Sequence, residues 1–196
     1  MTKEKSLTLL AKIVSRIFGF GMFIFLPFVA IGSGRFESKD ILWVVVAAAI
    51  YMLAGVILFI FAKKGIVSDL DLTDRRERPL YYFILMLLNF ILLFVYVVFE
   101  VSMTLRYLML IFLVELIFNF VITLFWKISN HTLWNTSFIV ISIIFLGADF
   151  YFLLLIIPVV GWARYYLKKH TLAQLLGGFL LALTVILPLS VIFEFL

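Results

Sequence analysis

The chain is a succession of long apolar runs separated by a few short polar breaks, and that alternation predicts its elements. Apolar stretches cover residues 7–31, 41–62, 80–99, 106–126, 131–146, 150–162 and 171–196. A run of about 20 apolar residues is enough to cross roughly 30 Å of hydrocarbon as a helix. The pair 131–146 and 150–162 is shorter, turns around Gly147-Ala148-Asp149, and is expected to be partly shielded by protein. The pattern predicts an all-α, polytopic helical membrane protein with about seven apolar helical segments, six or seven of them spanning, as a single transmembrane domain over residues 1–196. Pro79 suits the start of the third span, where its missing N–H costs nothing. Pro188 suits a kink in the last.

Composition agrees and narrows the class. Of the 196 residues, 66% are hydrophobic, 14% are charged and 23 are phenylalanine, more apolar surface than a soluble domain of this size can hide. The ten-residue alternation of a membrane β-barrel is absent. With no cysteine, disulfide, thiol and iron–sulfur chemistry are excluded. No small-residue cleavage site follows the first apolar run, so the start does not read as a cleavable signal.

Charge sets an expected orientation. The breaks at 63–79, 127–130 and 163–170 fall on the same side as the N-terminus. With it they carry Lys3, Lys5, Lys63, Lys64, Arg75, Arg76, Arg78, Lys127, Arg164, Lys168 and Lys169, against Arg35, Lys39 and Arg106 opposite. The positive-inside rule then turns the N-terminus and these loops to the cytoplasm, in the cell membrane. The net charge of +5 points to a bilayer with anionic head groups as partner, not to nucleic acid. Within the fourth run, Glu115 and Asn119 share a helical face. They read either as an interhelical hydrogen-bond pair with Asn89 or backbone, or as a site. No internal repeat suggests a transporter duplication, and nothing in the pattern sets an oligomeric state.

Three breaks, 69–79, 127–131 and 163–174, hold the residues with chemistry. Both histidines of the chain, His131 and His170, lie there, each at the start of an apolar segment. Arginines Arg75, Arg76, Arg78 and Arg164 accompany them, and guanidinium suits two-point contact with phosphoryl oxygens. Helix starts add amide donors and a positive dipole end for an anion. The three breaks are expected to meet on one membrane face as an anionic head-group site.

The spacing of these residues resembles the type-2 phosphatidic acid phosphatase superfamily of membrane lipid phosphatases, relatives of vanadate-dependent haloperoxidases. That family carries K-x6-R-P, P-S-G-H and S-R-x5-H-x3-D. Here the first reads Asp71, six residues, Arg78-Pro79; the second Ile128-Ser129-Asn130-His131; the third Ala163-Arg164, five residues, His170, three residues, Gln174. The resemblance covers residues 69–180 and keeps the motif order, with two apolar spans between the first motif and the second. It implies hydrolysis of a phosphorylated lipid, either an isoprenyl phosphate or diphosphate or a phosphatidate-like lipid, without metal or other cofactor. His170 would be the nucleophile forming a phosphohistidine, and His131 the proton donor and later the base. Arg78 and Arg164 would hold the equatorial oxygens, with Ser129 donating one hydrogen bond.

The departures shape the alternatives. Gln174 replaces the aspartate that orients the nucleophile, and a comparable aspartate-to-amide change in a serine protease costs about 10⁴ in rate. Asp71 replaces a lysine, a place that Arg75, Arg76 or Lys127 could fill. A catalytically weakened or inactive relative that binds a phosphorylated lipid is therefore one alternative. A magnesium-dependent lipid or prenyl transferase, prompted by Asp69, Asp71 and Asp74, is another; such sites need convergent carboxylates around magnesium, and the chain offers one aspartate cluster.

Overall fold

The structure is a computed structural model that describes residues 3–20, 34 and 40–193. Among the described residues the regular structure is entirely helical. In chain order the α-helices are α1 (Lys3–Phe20), α2 (Asp40–Lys63), α3 (Arg78–Val98), α4 (Met103–Phe125), α5 (Asn130–Leu146), α6 (Ile156–Tyr166) and α7 (Leu172–Ile192). A 3₁₀ turn, Arg75–Glu77, leads into α3, and a longer 3₁₀ stretch, Ala148–Leu155, leads into α6.

Each of the seven apolar runs carries one of these helices. Among the described residues five helical stretches are long and apolar enough to cross a membrane: Asp40–Lys63, Arg75–Val98, Met103–Phe125, Ala148–Tyr166 and Leu172–Ile192. Helix α5, with 17 residues, is shorter; at 1.5 Å per residue it reaches about 26 Å. The first expected span is described only as far as Phe20. Its remainder and the expected turn at 32–40, with Arg35, Glu37 and Lys39, lie outside the described residues except for Gly34 and Asp40. Large apolar side chains face outward along the helices, among them Leu42, Phe94 and Val191, each more than 60% exposed. Surface of this kind needs hydrocarbon rather than water around it, which makes this an integral membrane protein.

Helix ends follow local chemistry. Pro79 stands at the first turn of α3, as its fixed φ favours. Ser129 caps α5, and Thr171 with Gln174 forms a full capping box on α7. Three helices stop in the same way. After α2, α3 and α6 the chain takes one left-handed residue, Gly65 (φ 69°), Glu100 (φ 49°) and Lys168 (φ 54°) respectively. The next N–H reaches back to the helix: Ile66 N to Phe61 O at 2.9 Å, Val101 N to Tyr96 O at 2.9 Å, Lys169 N to Arg164 O at 3.0 Å. This is the Schellman closure, which usually takes glycine at the left-handed position; only the first of the three has it.

The chain divides into two compact units. The central unit, Ala30–Lys127, contains α2, α3 and α4. In it Asn89 of α3 donates to the Tyr51 hydroxyl of α2, Tyr96 donates to the Trp43 carbonyl, and Tyr81 to that of Ala54. Asn89, expected with backbone as a partner for Glu115 and Asn119, thus bonds to Tyr51; Glu115 and Asn119 are fully buried in α4. The terminal unit, Met1–Val29 with Ile128–Leu196, contains α1, α5, α6 and α7.

In the terminal unit α5 and α7 pack side by side and parallel. Gly178 makes this possible, since a Cβ there would lie 2.5 Å from the Ser129 carbonyl oxygen and 3.1 Å from the Leu133 nitrogen. Parallel neighbours need a return segment, and the 3₁₀ stretch with α6 supplies it. The starts of α5 and α7 and the end of α6 therefore share one end of the unit.

Candidate functional site

The second and third motifs meet at that end. The Ser129 N–H donates to the Gln174 carbonyl at 3.0 Å, joining the cap of α5 to the first turn of α7 through the main chain. Ser129 is wholly buried; its hydroxyl accepts from the Thr132 N–H at 3.3 Å and from the Thr132 hydroxyl at 3.1 Å. Both helix starts direct their positive dipole ends here.

His170 is buried just ahead of α7, and its tautomer follows from its neighbours. The Gln174 Oε1 accepts from the Thr171 N–H at 3.2 Å. A backbone N–H can only donate, so this bond fixes the amide with its oxygen inward. His170 Nδ1 lies 3.2 Å from the same oxygen and must therefore carry a proton; in the neutral ring the lone pair is then on Nε2. Gln174 serves the helix cap and the histidine with one atom.

Arg164 and His131 converge on Ser15, in α1. The Arg164 Nη1 donates to the Ser15 hydroxyl at 2.7 Å, with Arg164 1% and Ser15 7% exposed. His131 Nε2 lies 3.2 Å from the Ser15 carbonyl; a carbonyl only accepts, so Nε2 is the protonated nitrogen. One turn on, a Cβ at Gly19 would come within 2.9 Å of the same Nε2. Asn135, one turn after His131, donates to the Phe18 carbonyl at 2.9 Å and to the His131 carbonyl at 2.7 Å. Helix α1 therefore runs parallel to α5 along this contact, which a reading from motifs alone missed. The available signal was the spacing of Ala11, Ser15 and Gly19, small residues four apart that let helices approach closely.

Among the terminal unit's described residues, the charged side chains at this end are cations. The terminal unit's described carboxylates are Glu4, near the start of α1, and Asp149, beyond the far end of α5. Glu4 lies 11 residues before Ser15, about 16 Å along the helix axis. Around the histidine end stand Arg164, Lys168 and Lys169 together with the two helix starts. A buried guanidinium among positive dipole ends is a place for an anion.

The first motif belongs to the central unit, where most of its charges are bonded to main chain. Arg75 Nη1 donates to the carbonyls of Leu124 at 2.8 Å and Thr123 at 3.4 Å, covering the end of α4. Lys127 Nζ donates to the Thr73 carbonyl at 2.8 Å. Arg78 is 1% exposed and its Nε donates to the Leu72 carbonyl at 2.9 Å. Asp69 accepts from the Thr73 N–H at 3.0 Å, Asp74 from the Arg76 N–H at 2.9 Å, and the Arg76 side chain is exposed. Of the residues proposed to replace the missing lysine, Arg75 and Lys127 therefore have structural bonds inside this unit. Among the described residues no group of three or more His, Asp or Glu side chains is arranged to hold a metal ion.

Comparison with protein-family models, with curated proteins and with solved structures found no match to this chain.

Proposed function

We propose that this integral membrane protein hydrolyses a phosphorylated amphiphile in the manner of the type-2 phosphatidic acid phosphatases, through a phosphohistidine on His170. The observation that carries the reading is the pairing of His170 Nδ1 with Gln174 Oε1, an oxygen held in place by the Thr171 N–H. A histidine nucleophile needs its lone pair on one nitrogen and its proton secured on the other. The positive end formed by Arg164 and the starts of α5 and α7 suits a phosphoryl group, and the apolar helix walls suit its tail.

In this scheme His170 Nε2 attacks phosphorus, an N–P bond forms, and the P–O bond to the lipid breaks. His131, as imidazolium with Nε2–H on the Ser15 carbonyl, delivers its Nδ1 proton to the leaving oxygen. Water then adds to phosphorus with loss of a proton to His131, and the P–N bond breaks to release phosphate. Arg164 offsets the charge on the equatorial oxygens throughout.

A second reading, binding without turnover, is favoured by the neutrality of Gln174, which accepts a hydrogen bond but cannot offset an imidazolium. Phosphate release from a panel of isoprenyl and glycerolipid phosphates, measured in detergent with chelator, separates the two. Release by the wild type that is lost in His170→Ala supports hydrolysis. Release that appears only in Gln174→Glu supports a binder on a phosphatase scaffold. Silence in every variant across the panel, with folding verified, removes the hydrolytic reading.

A further inference from the structure

The motifs account for His131, Arg164 and His170 but not for what Arg164 and His131 rest on. We propose that Ser15 of α1 is a positioning residue of the phosphate site, setting the guanidinium of Arg164 for an anion; this rests on the function proposed above.

Three observations carry it. First, Ser15 serves both groups at once: its hydroxyl accepts from Arg164 Nη1 at 2.7 Å and its carbonyl faces His131 Nε2 at 3.2 Å. One residue thus indexes the phosphate-holding cation and the proton donor to a single point on α1. Second, the contact is buried, with Arg164 1% and Ser15 7% exposed, so water does not compete for it and its geometry is held. Third, the bond sets a plane. A guanidinium is a rigid planar fork of N–H groups, so fixing Nη1 fixes the orientation of the whole group, and a fork of set orientation suits two-point contact with phosphoryl oxygens. An unheld arginine on the last turn of α6 would pay side-chain entropy on each binding event; one already fixed does not.

The position in α1 strengthens the case. Ala11, Ser15 and Gly19 form the close-packed stripe, and Gly19 leaves no room for a larger residue beside His131. A serine is the member of that stripe able to accept a hydrogen bond from arginine without adding bulk.

The test uses the full-length protein in detergent with orthovanadate as probe, reading its thermal stabilisation. Wild type is expected to melt higher with orthovanadate. Ser15→Ala should need about tenfold more orthovanadate for half the effect, with a ligand-free melting temperature close to wild type. Ser15→Cys keeps the volume but offers a poor acceptor, so it should show the same loss even if the alanine variant packs badly. Ser15→Thr should recover most of the response. In an Arg164→Ala background, where orthovanadate binds weakly, Ser15→Ala should add nothing; a purely structural serine would add its effect independently. Ser15→Ala and Ser15→Cys with wild-type half-effect concentrations, or additivity with Arg164→Ala, would overturn the role of Ser15 and leave the phosphate reading standing. A wild type indifferent to orthovanadate would overturn both.

Discussion

The central and terminal units both carry arginines and lysines at the ends of their helices, yet they use them differently. In the central unit the loop between α2 and α3 closes on itself. Arg75, Arg78 and Lys127 bond to main-chain carbonyls, and the Glu77 carboxylate takes the N–H and hydroxyl of Ser68, each at 3.0 Å. Val67 and Leu72 of this loop bury against Leu58 of α2, with Phe61, Ala62 and Tyr81 around them. In the terminal unit His170 bonds to the Gln174 side chain and Arg164 to the Ser15 side chain, and only His131 rests on a main-chain carbonyl, that of Ser15. The chain's most highly charged break is thus a clasp in the bonds seen here, while a less charged one holds His170 with its Nδ1 proton on Gln174. Density of charge along a sequence marks a membrane interface; it does not by itself locate the chemistry.

The sharpest way to break this contrast is His170→Ala, expected to reduce phosphate release at least about 10³-fold, as losing a covalent nucleophile does, with the melting temperature little changed. Normal release by this variant would make the terminal unit as structural as the central one.

Next in size is Gly178→Ala, which drives a Cβ into the main chain of α5. A loss of roughly 3 kcal/mol in denaturant unfolding is expected from such overpacking. The matching change in the central unit, Gly55→Ala, meets open space and should gain about 0.5–1 kcal/mol from helix propensity. Equal effects at both glycines would contradict the tight parallel packing of α5 and α7.

Gln174→Glu keeps the length that the capping box needs while placing a charge beside His170. It should raise the rate of phosphate release by about 10- to 100-fold through stabilisation of the imidazolium. A fall in rate would mean that the amide is the better partner at this position.

Glu77→Ala tests the clasp, and about 1 kcal/mol of stability should go with the Ser68 bonds, which are only partly shielded from water. Phosphate release should not change. A loss of release comparable to that of His170→Ala would give the central loop a direct part in turnover.

The smallest effect is expected at Lys168→Gly, which relieves a left-handed lysine at the end of α6 and should add about 0.5–1 kcal/mol. If the same change also slows release, the side chain of Lys168 acts on substrate and is more than a helix terminator.

Much of the fold was legible because hydrocarbon thickness and backbone satisfaction leave few options to an apolar run of twenty residues. Among the described residues each of the seven runs carries an α-helix, and Pro79, Gly147 and Thr171 marked boundaries by their own chemistry. The 3₁₀ path of Ala148–Leu155 was not legible, since its apolar pattern suits an α-helix equally well. Nor were the left-handed Glu100 and Lys168, because neither residue type advertises a positive φ. Tyr51 was not legible as the hydrogen-bond partner of Asn89 either, since tyrosine reads as apolar in a membrane run.

For the site, the sequence by itself determined which residues could do chemistry and their spacing along α5, α6 and α7, since intrahelical spacing is local geometry. It could not pair them across the chain. That His170 keeps its proton on Nδ1 was decided by the Thr171 N–H holding the Gln174 oxygen. That Arg164 and His131 share Ser15, more than a hundred residues earlier, was decided by the packing of α1 against α5 and α6. Hydrogen bonds act over about 3 Å, so partners distant in sequence become partners only when helices packed on small residues bring their backbones together.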